Sequence, residues 1–326
     1  MSVVTDAWRN VSLKEPLGLL TLLGLPGVGG RTVKLLADRL DVLGAVHESG
    51  SLPAGVSSAA ARNLRDVDAV IAAHARAVAI VAKAEETGTR LVGVYDESYP
   101  QLLASIADPP PVLFVKGSLR DDATKCVAVV GTRKPSEWGC EQTRSFVREV
   151  ASKGWTVVSG LALGVDQEAH EVAVATGAPT VAVLGGGLDR VSPAQNRALA
   201  ESILESGGAL VSEQPFGVSA SKATLVQRNR VTSGLSAATV LVESALTGGS
   251  MQTVRFAVLQ GRQVFAAVPD EPNHPSTDAL TRLTTLSGPE LAAVVKATGE
   301  YERRLREEFR ISPVALPLRA FASRGA

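Results

Sequence analysis

Cys126-Val127-Ala128-Val129-Val130-Gly131-Thr132-Arg133-Lys134-Pro135 reads as a fully apolar strand ending in a glycine turn with two positive charges. A strand with no polar position on either face fits a sheet covered on both sides, as parallel sheets are. Gly131 allows the backbone to turn close to a ligand. The same unit recurs downstream. An apolar run at 155–158 leads into Ser159-Gly160-Leu161-Ala162-Leu163-Gly164-Val165-Asp166, and one at 180–184 into Gly185-Gly186-Gly187-Leu188-Asp189. A third, at 239–242, leads to Glu243 and then Thr247-Gly248-Gly249-Ser250. Further β-branched runs lie at 91–94, 112–115, 209–211 and 264–268, with helical stretches at 141–153, 166–176, 195–205 and 251–260. Strands alternating with helices of this length predict βαβ units and a mainly parallel sheet, an α/β domain over about residues 88–270.

In an open parallel sheet, ligands bind outside the carboxyl ends of the strands. Four glycine turns on that edge would make a rim of backbone N–H groups suited to an anion. Gln227-Arg228-Asn229-Arg230, read as leading into a helix, adds two arginines that could face the same rim. The candidate phosphate- or DNA-binding set is therefore Gly131, Arg133, Lys134, Ser159, Gly160, Gly164, Gly185, Gly187, Arg228, Asn229, Arg230, Gly248, Gly249 and Ser250. No G-x-x-x-x-G-K-[ST] is present, and no G-x-G-x-x-G follows the first strand, which argues against a P-loop NTPase and a nicotinamide dehydrogenase.

The flanks differ in composition. Residues 1–87 are Ala- and Leu-rich with helical spacing, and Leu22-Leu23-Gly24-Leu25-Pro26-Gly27-Val28-Gly29-Gly30-Arg31 reads as helix, glycine turn, helix. Gly27 and Gly29 are expected at positive φ, and the second helix would open with free N–H groups. It reads either as a phosphate-contacting hairpin or as a helical packing module. Residues 271–326 lose the α/β rhythm and form a divergent, partly helical segment. Within it, 300–310 reads as a solvated helix and 320–326 as a frayed tail.

Lys and Arg number 33, as do Asp and Glu, so a globally basic nucleic-acid binder is excluded and any anion site must be local. Cys126 and Cys140, the two cysteines, form no C-x-x-C pair, which suits a reducing compartment. The four histidines sit in unrelated contexts, so no metal site is expected. His170 follows Asp166 by four residues, on one helix face, as a hydrogen-bonded pair that fixes the Gly164 turn or as an acid/base or metal pair. Glu243 reads as a polar brace for the Gly248-Gly249 turn. Neither a secretory h-region in 1–10 nor an apolar run of about 20 residues is visible, so a cytoplasmic protein is expected.

Several strings, taken in order, resemble the DprA/Smf family. They are Val129-Val130-Gly131-Thr132-Arg133-Lys134-Pro135, Ser159-Gly160-Leu161-Ala162-x-Gly164-Val165-Asp166-x-x-Ala169-His170 and Val183-Leu184-Gly185-x-Gly187-Leu188-Asp189. Arg228-Asn229-Arg230-x-x-Ser233-Gly234-Leu235-Ser236 and Gly261-Arg262-x-Val264-Phe265-Ala266 continue the series, and Tyr99-Pro100-x-Leu102-Leu103 with Asp108-Pro109-Pro110 precedes it. The resemblance, over about residues 15–270, implies a Rossmann-like sheet domain behind a small helical, SAM- or helix-hairpin-helix-like domain. It implies a homodimer that binds single-stranded DNA and helps load the RecA recombinase during natural transformation, with no nucleotide cofactor and no enzymatic activity. Leu163 stands where many members carry a basic residue, Leu225-Val226 replaces a usual Phe, and Val268-Pro269-Asp270 replaces V-P-G. Two alternatives share the phosphate rim: a nucleotide-binding sensor, and a LOG-type phosphoribohydrolase. The enzyme's P-G-G-x-G-T-x-x-E signature ends here in Arg255, which removes the carboxylate that acid/base chemistry needs.

Overall fold

A computed structural model describes residues 12–37, 52, 54–119, 125–245 and 247–267, positions 280, 283–286, 290 and 293, and a strand at 312–314. Among the described residues four helices come first: α1 (Pro16–Leu23), α2 (Gly30–Ala37), α3 (Ser58–Arg65) and α4 (Val67–Glu86). Their starts follow local chemistry. Proline occupies the first turn of α1, Ser57 caps α3 by accepting from the Ala60 N–H, and Asp66 caps α4 through the N–H groups of Asp68 and Ala69. The alanines Ala73 and Ala77 of α4, one turn apart, are buried, as are Leu19 and Leu22 of α1. Burying a leucine such as Leu22 contributes about 1.5–3 kcal/mol.

The sheet begins with β1 (Arg90–Gly93) and β2 (Val112–Gly117), separated by the single-turn α5 (Gln101–Ala104). Then come β3 (Cys126–Val130), α6 (Glu137–Ser152), β4 (Thr156–Ser159), α7 (Val165–Ala175), β5 (Thr180–Val183), α8 (Arg197–Glu205) and β6 (Ala209–Ser212). The run closes with α9 (Lys222–Gly234), β7 (Ala238–Leu241), α10 (Ser250–Leu259), β8 (Gln263–Ala267) and β9 (Ser312–Val314). Among the described residues these strands form one sheet in the order β1-β2-β6-β5-β4-β3-β7-β8-β9. Pairing is parallel from β6 through to β9, while β1–β2 and β2–β6 are antiparallel. The mainly parallel α/β sheet expected from 126–130 and its repeats is present.

Strand alternation divides the core. Val112 and Phe114 join a cluster containing Leu19, Leu22 and Ala77, so the helices before the sheet and one face of its edge share one apolar core. Leu113 and Val115 turn to the opposite face with Val158, Val183 and Val231. Val127 and Val129 pack beneath Phe146, Val147 and Val150 of α6 and Ala169 of α7. No helix among the described residues is long and apolar enough to cross a membrane.

Four local expectations need correction. Gly27 has φ +80°, but Gly29 does not share the left-handed region; its carbonyl instead accepts the Val33 N–H at 3.0 Å, which makes it the entry residue of α2. Helix α6 starts at Glu137 rather than 141, because the Ser136 hydroxyl accepts the Gly139 N–H at 3.1 Å. Arg228 and Arg230 lie inside α9, which starts at Lys222 behind a capping box made by Ser221 and Thr224. A strand, β9, follows in the region where none was expected, parallel to β8 and carrying Pro313 at a sheet edge, where proline is tolerated. The helix expected at 300–310 and the tail at 320–326 lie outside the described residues.

Candidate nucleic-acid interface

The carboxyl ends of β3, β4, β5 and β7 open on one edge, and the first two turns interlock there. A β-carbon at Gly131 would collide with the Val165 side chain, and one at Gly164 with the Thr132 carbonyl and the Arg133 backbone. The Val165 N–H donates to the Thr132 carbonyl at 3.1 Å, and the Thr132 N–H to the Glu243 carbonyl at 2.7 Å. These bonds tie the turns after β3, β4 and β7 together. Gly164, at φ +84°, opens α7 in a conformation that side-chain-bearing residues avoid.

The floor of this edge is a buried polar cluster. The Ser159 hydroxyl donates to the Val129 carbonyl at 2.7 Å. One carboxylate oxygen of Asp166 accepts the N–H of Gly160 at 3.2 Å and of Ala162 at 3.4 Å. Arg228 reaches in from α9: its Nη1 stands 3.9 Å from the Asp166 carboxylate, beyond hydrogen-bond distance, with both side chains buried. Its guanidinium occupies the space a β-carbon at Gly160 would fill, so that glycine makes room for a protein cation. Arg228 Nε has no hydrogen-bond partner among the described residues. Burial lowers the Arg228 pKa; Asp166 opposes that and the nearby Arg133 adds to it. Burial raises the Asp166 carboxyl, against the pull of Arg228 and the two backbone N–H groups.

His170 sits beneath, fully buried. Its Nδ1 lies 2.7 Å from the Thr180 hydroxyl, which donates onward to the Val157 carbonyl at 2.9 Å. A hydroxyl has one proton, so Thr180 must accept from Nδ1–H, which leaves Nε2 as the bare acceptor. Nε2 has no partner. Burial first, then the Arg228 charge, lowers the imidazole pKa to about 3. His170 therefore bonds Thr180 rather than Asp166, and the expected Asp166–His170 pair is not formed.

Several N–H groups of the rim are already committed: Thr132 to Glu243, Gly160 and Ala162 to Asp166, and Gly187 to the Val218 carbonyl at 2.9 Å. The tight turns after β3, β4 and β5 approach protein, not open space. Gly185 packs on Leu225, and Gly187 on Pro215 and Phe216. The rim so offers side-chain cations more than backbone dipoles. Arg133 and Lys134 are exposed, with Arg133 close enough to repel Arg228, and the Leu163 side chain is exposed in the β4 turn.

Arg230 goes elsewhere. Residues two apart on a helix do not share a face. Its guanidinium takes Glu213 at 2.7 Å and Asp108 at 3.0 Å, with only 11 % of the side chain exposed. Burial lowers its pKa, but the two carboxylates more than reverse this and hold it above the ordinary range. Asn229, between them, is half-buried. In the β7 turn, the Ser250 hydroxyl donates to Ser244 at 2.7 Å, Gly248 packs on Ser244, and Gly249 faces open space. Glu243 braces α6 instead of that turn, its carboxylate accepting from the Ser136 N–H at 3.0 Å and hydroxyl at 3.1 Å. Asp166, Thr180, Asp108 and Glu213 complete the arrangement, and no local sequence signal links Glu213 or Asp108 to Arg230.

Residues 90–297 match the family model described as DNA recombination-mediator protein A. Protein Smf of Escherichia coli K12 is 42% identical over 182 residues, which are 56% of this chain and 49% of that protein. DNA processing protein DprA of Bacillus subtilis 168 is 35% identical over 189 residues, 57% of this chain and 63% of the relative. The chain thus spans less than two thirds of these relatives' length. The X-ray structure of DprA from Streptococcus pneumoniae aligns with a TM-score of 0.64 at 26% identity, covering 82% of this chain and 92% of that one. DNA processing protein A from Helicobacter pylori, solved for its single-stranded DNA binding mode, aligns with a TM-score of 0.53 at 26% identity over 67% and 94% of the two chains.

Proposed function

Because the chain belongs to the DNA recombination-mediator protein A (DprA/Smf) family, whose model matches more than half of it, we propose that it grips single-stranded DNA by its phosphates where β3, β4 and α9 meet. One observation carries this reading: Arg228 is held in a buried slot above Gly160, incompletely paired, next to exposed Arg133 and Lys134. An arginine with unused donors is pre-organised for a bidentate phosphate contact. The Helicobacter pylori relative's binding mode supports a single strand as the ligand. Ser159, Gly160 and Gly164 shape the floor, and Gly131, Gly185 and Gly187 permit its close packing. Gly248, Gly249 and Ser250 border it beside β7. Asn229 lies on the same helix, and Arg230 fixes that helix from its other side.

The wider role follows the family. The protein works in the cytoplasm as a homodimer, passes the strand to a RecA-type recombinase, and needs neither a cofactor nor a catalytic step. Titration of a labelled oligonucleotide at several salt concentrations tests the grip. Removing the cation that neutralises one phosphate lowers the log–log salt slope by about 0.7. Arg133→Ala, at an exposed position, and Arg228→Lys, which keeps the charge but loses the fork, should both weaken all sequences alike. Wild-type affinity for both variants at every salt concentration would sink the assignment. Thermal stabilisation by mononucleotides with no oligonucleotide binding would favour a nucleotide sensor instead.

A further inference from the structure

Beyond the rim lies a cleft of about 1110 Å³ between the first helices and the edge of the sheet. Its walls come from α1, α2, α4 and the segment before β2, and its floor from the residues that follow β6, Glu213-Gln214-Pro215. Strand β6 runs parallel to β5, so the cleft opens on the same edge as the rim. The two are continuous through packing, since Gly187 of the β5 turn rests on Pro215 and Phe216. Helix α9 divides them, with Arg228 towards Gly160 and with Gln227 and Arg230 lining the cleft.

The charge balance of the cleft is uneven. Among the described residues its two carboxylates, Asp108 and Glu213, both hold Arg230. Arg31 and Lys34 of α2 are exposed on the opposite wall, with no ion pair among the described residues. Arg76 of α4 also lines it, anchored by a 3.0 Å bond from Nη2 to the Gly24 carbonyl. The rest of the lining is mainly apolar, with two half-exposed rings: Phe256, and Tyr95, over which the Lys14 Nζ stands 5.6 Å from the ring centroid. The wall is firmly built: the buried Tyr99 hydroxyl donates to the Pro110 carbonyl at 2.8 Å and fixes the proline-rich connector. A cationic groove with aromatic surface is what unstacked bases on a charged backbone require.

We propose that this cleft is a second tract for the same DNA strand, taking bases against Tyr95 and Phe256 and phosphates on Arg31 and Lys34. The proposal rests on the rim reading and extends it across α9. It predicts a dependence on length. An oligonucleotide of about 6 nucleotides should engage the rim alone, whereas one of about 20 should fill both tracts.

The test is the Arg31→Glu, Lys34→Glu double variant, altered at exposed positions, beside wild type with both oligonucleotides. With two phosphates no longer neutralised, the salt slope for the longer one should fall by about 1.4 and its affinity roughly tenfold, leaving the shorter one unchanged. In wild type, a photoreactive 5-iododeoxyuridine oligonucleotide of the longer length should cross-link to Tyr95 or Phe256, located by mass spectrometry. Equal weakening on both lengths, no weakening on either, or cross-links confined to the rim would overturn the second tract while the rim stands. Failure of wild type to bind either length would remove the rim reading itself.

Discussion

Acidification should strip stability from this fold through one side chain, His170. In an unfolded chain an imidazole titrates near about 6.5, whereas in the folded protein burial and Arg228 lower it to about 3. Above the unfolded value both states are neutral and the residue contributes nothing to the pH dependence. Between those two values only the unfolded chain takes the proton, so stability falls by about 1.4 kcal/mol per pH unit. The loss reaches about 2.7 kcal/mol at pH near 4.5 and approaches about 5 kcal/mol at the folded value, against a total of about 5–15 kcal/mol for a typical fold. Asp166 acts in the opposite sense: its pKa is raised by burial, so the folded state regains some stability once acid protonates that carboxyl. Comparison with His170→Asn isolates the imidazole, because the Asn amide can still donate to Thr180 but does not titrate. Urea unfolding at a series of pH values is the assay. Wild-type stability relative to the variant should drop by about 2.7 kcal/mol between pH of about 7 and about 4.5. Parallel stability curves across that window would refute the buried neutral imidazole.

Gly160→Ala should displace Arg228 without deleting it, and so lower oligonucleotide affinity about as much as Arg228→Ala; unchanged affinity in isothermal titration would show that the guanidinium's position does not matter. Arg230→Ala strands two carboxylates, one of them on a Glu213 side chain only 14 % exposed. It should cost about 3–5 kcal/mol in chemical denaturation, and a loss under about 1 kcal/mol would mean the clamp is solvated. Multi-angle light scattering at micromolar concentration should report a dimer, and a monomer alone would remove that part of the proposal.

The strand β3 was legible because its burial leaves no polar position: each of its residues is apolar and buried. The turns were legible as glycine clusters, but their purpose was not. Close approach to a ligand and close approach to Val165 or Leu225 demand the same residue, and only the tertiary structure separates them. Strand direction at the edge was equally silent, since the apolar runs at 91–94 and 112–115 read the same whether their neighbours run parallel or antiparallel. The two arginines of α9 looked equivalent as a dipeptide repeat. Helical phase sends one to Asp166 and the other to Glu213 and Asp108, and the latter pairing joins residues far apart in the chain.

Strand order also sets a timetable for synthesis. β3 is the first parallel strand to be made, and β4 follows it closely, but its other neighbour is β7, with Val127 opposite Ala238. At translation rates of about 5–20 residues per second, that flank stays unpaired for the order of ten seconds as the chain leaves the ribosome. During that interval a wholly apolar strand presents a bare hydrogen-bonding edge, which is the kind of surface that nucleates aggregates. A nascent chain stalled with Ala238 still inside the ribosome should therefore be held by chaperones, and one stalled after Leu241 has emerged should be released.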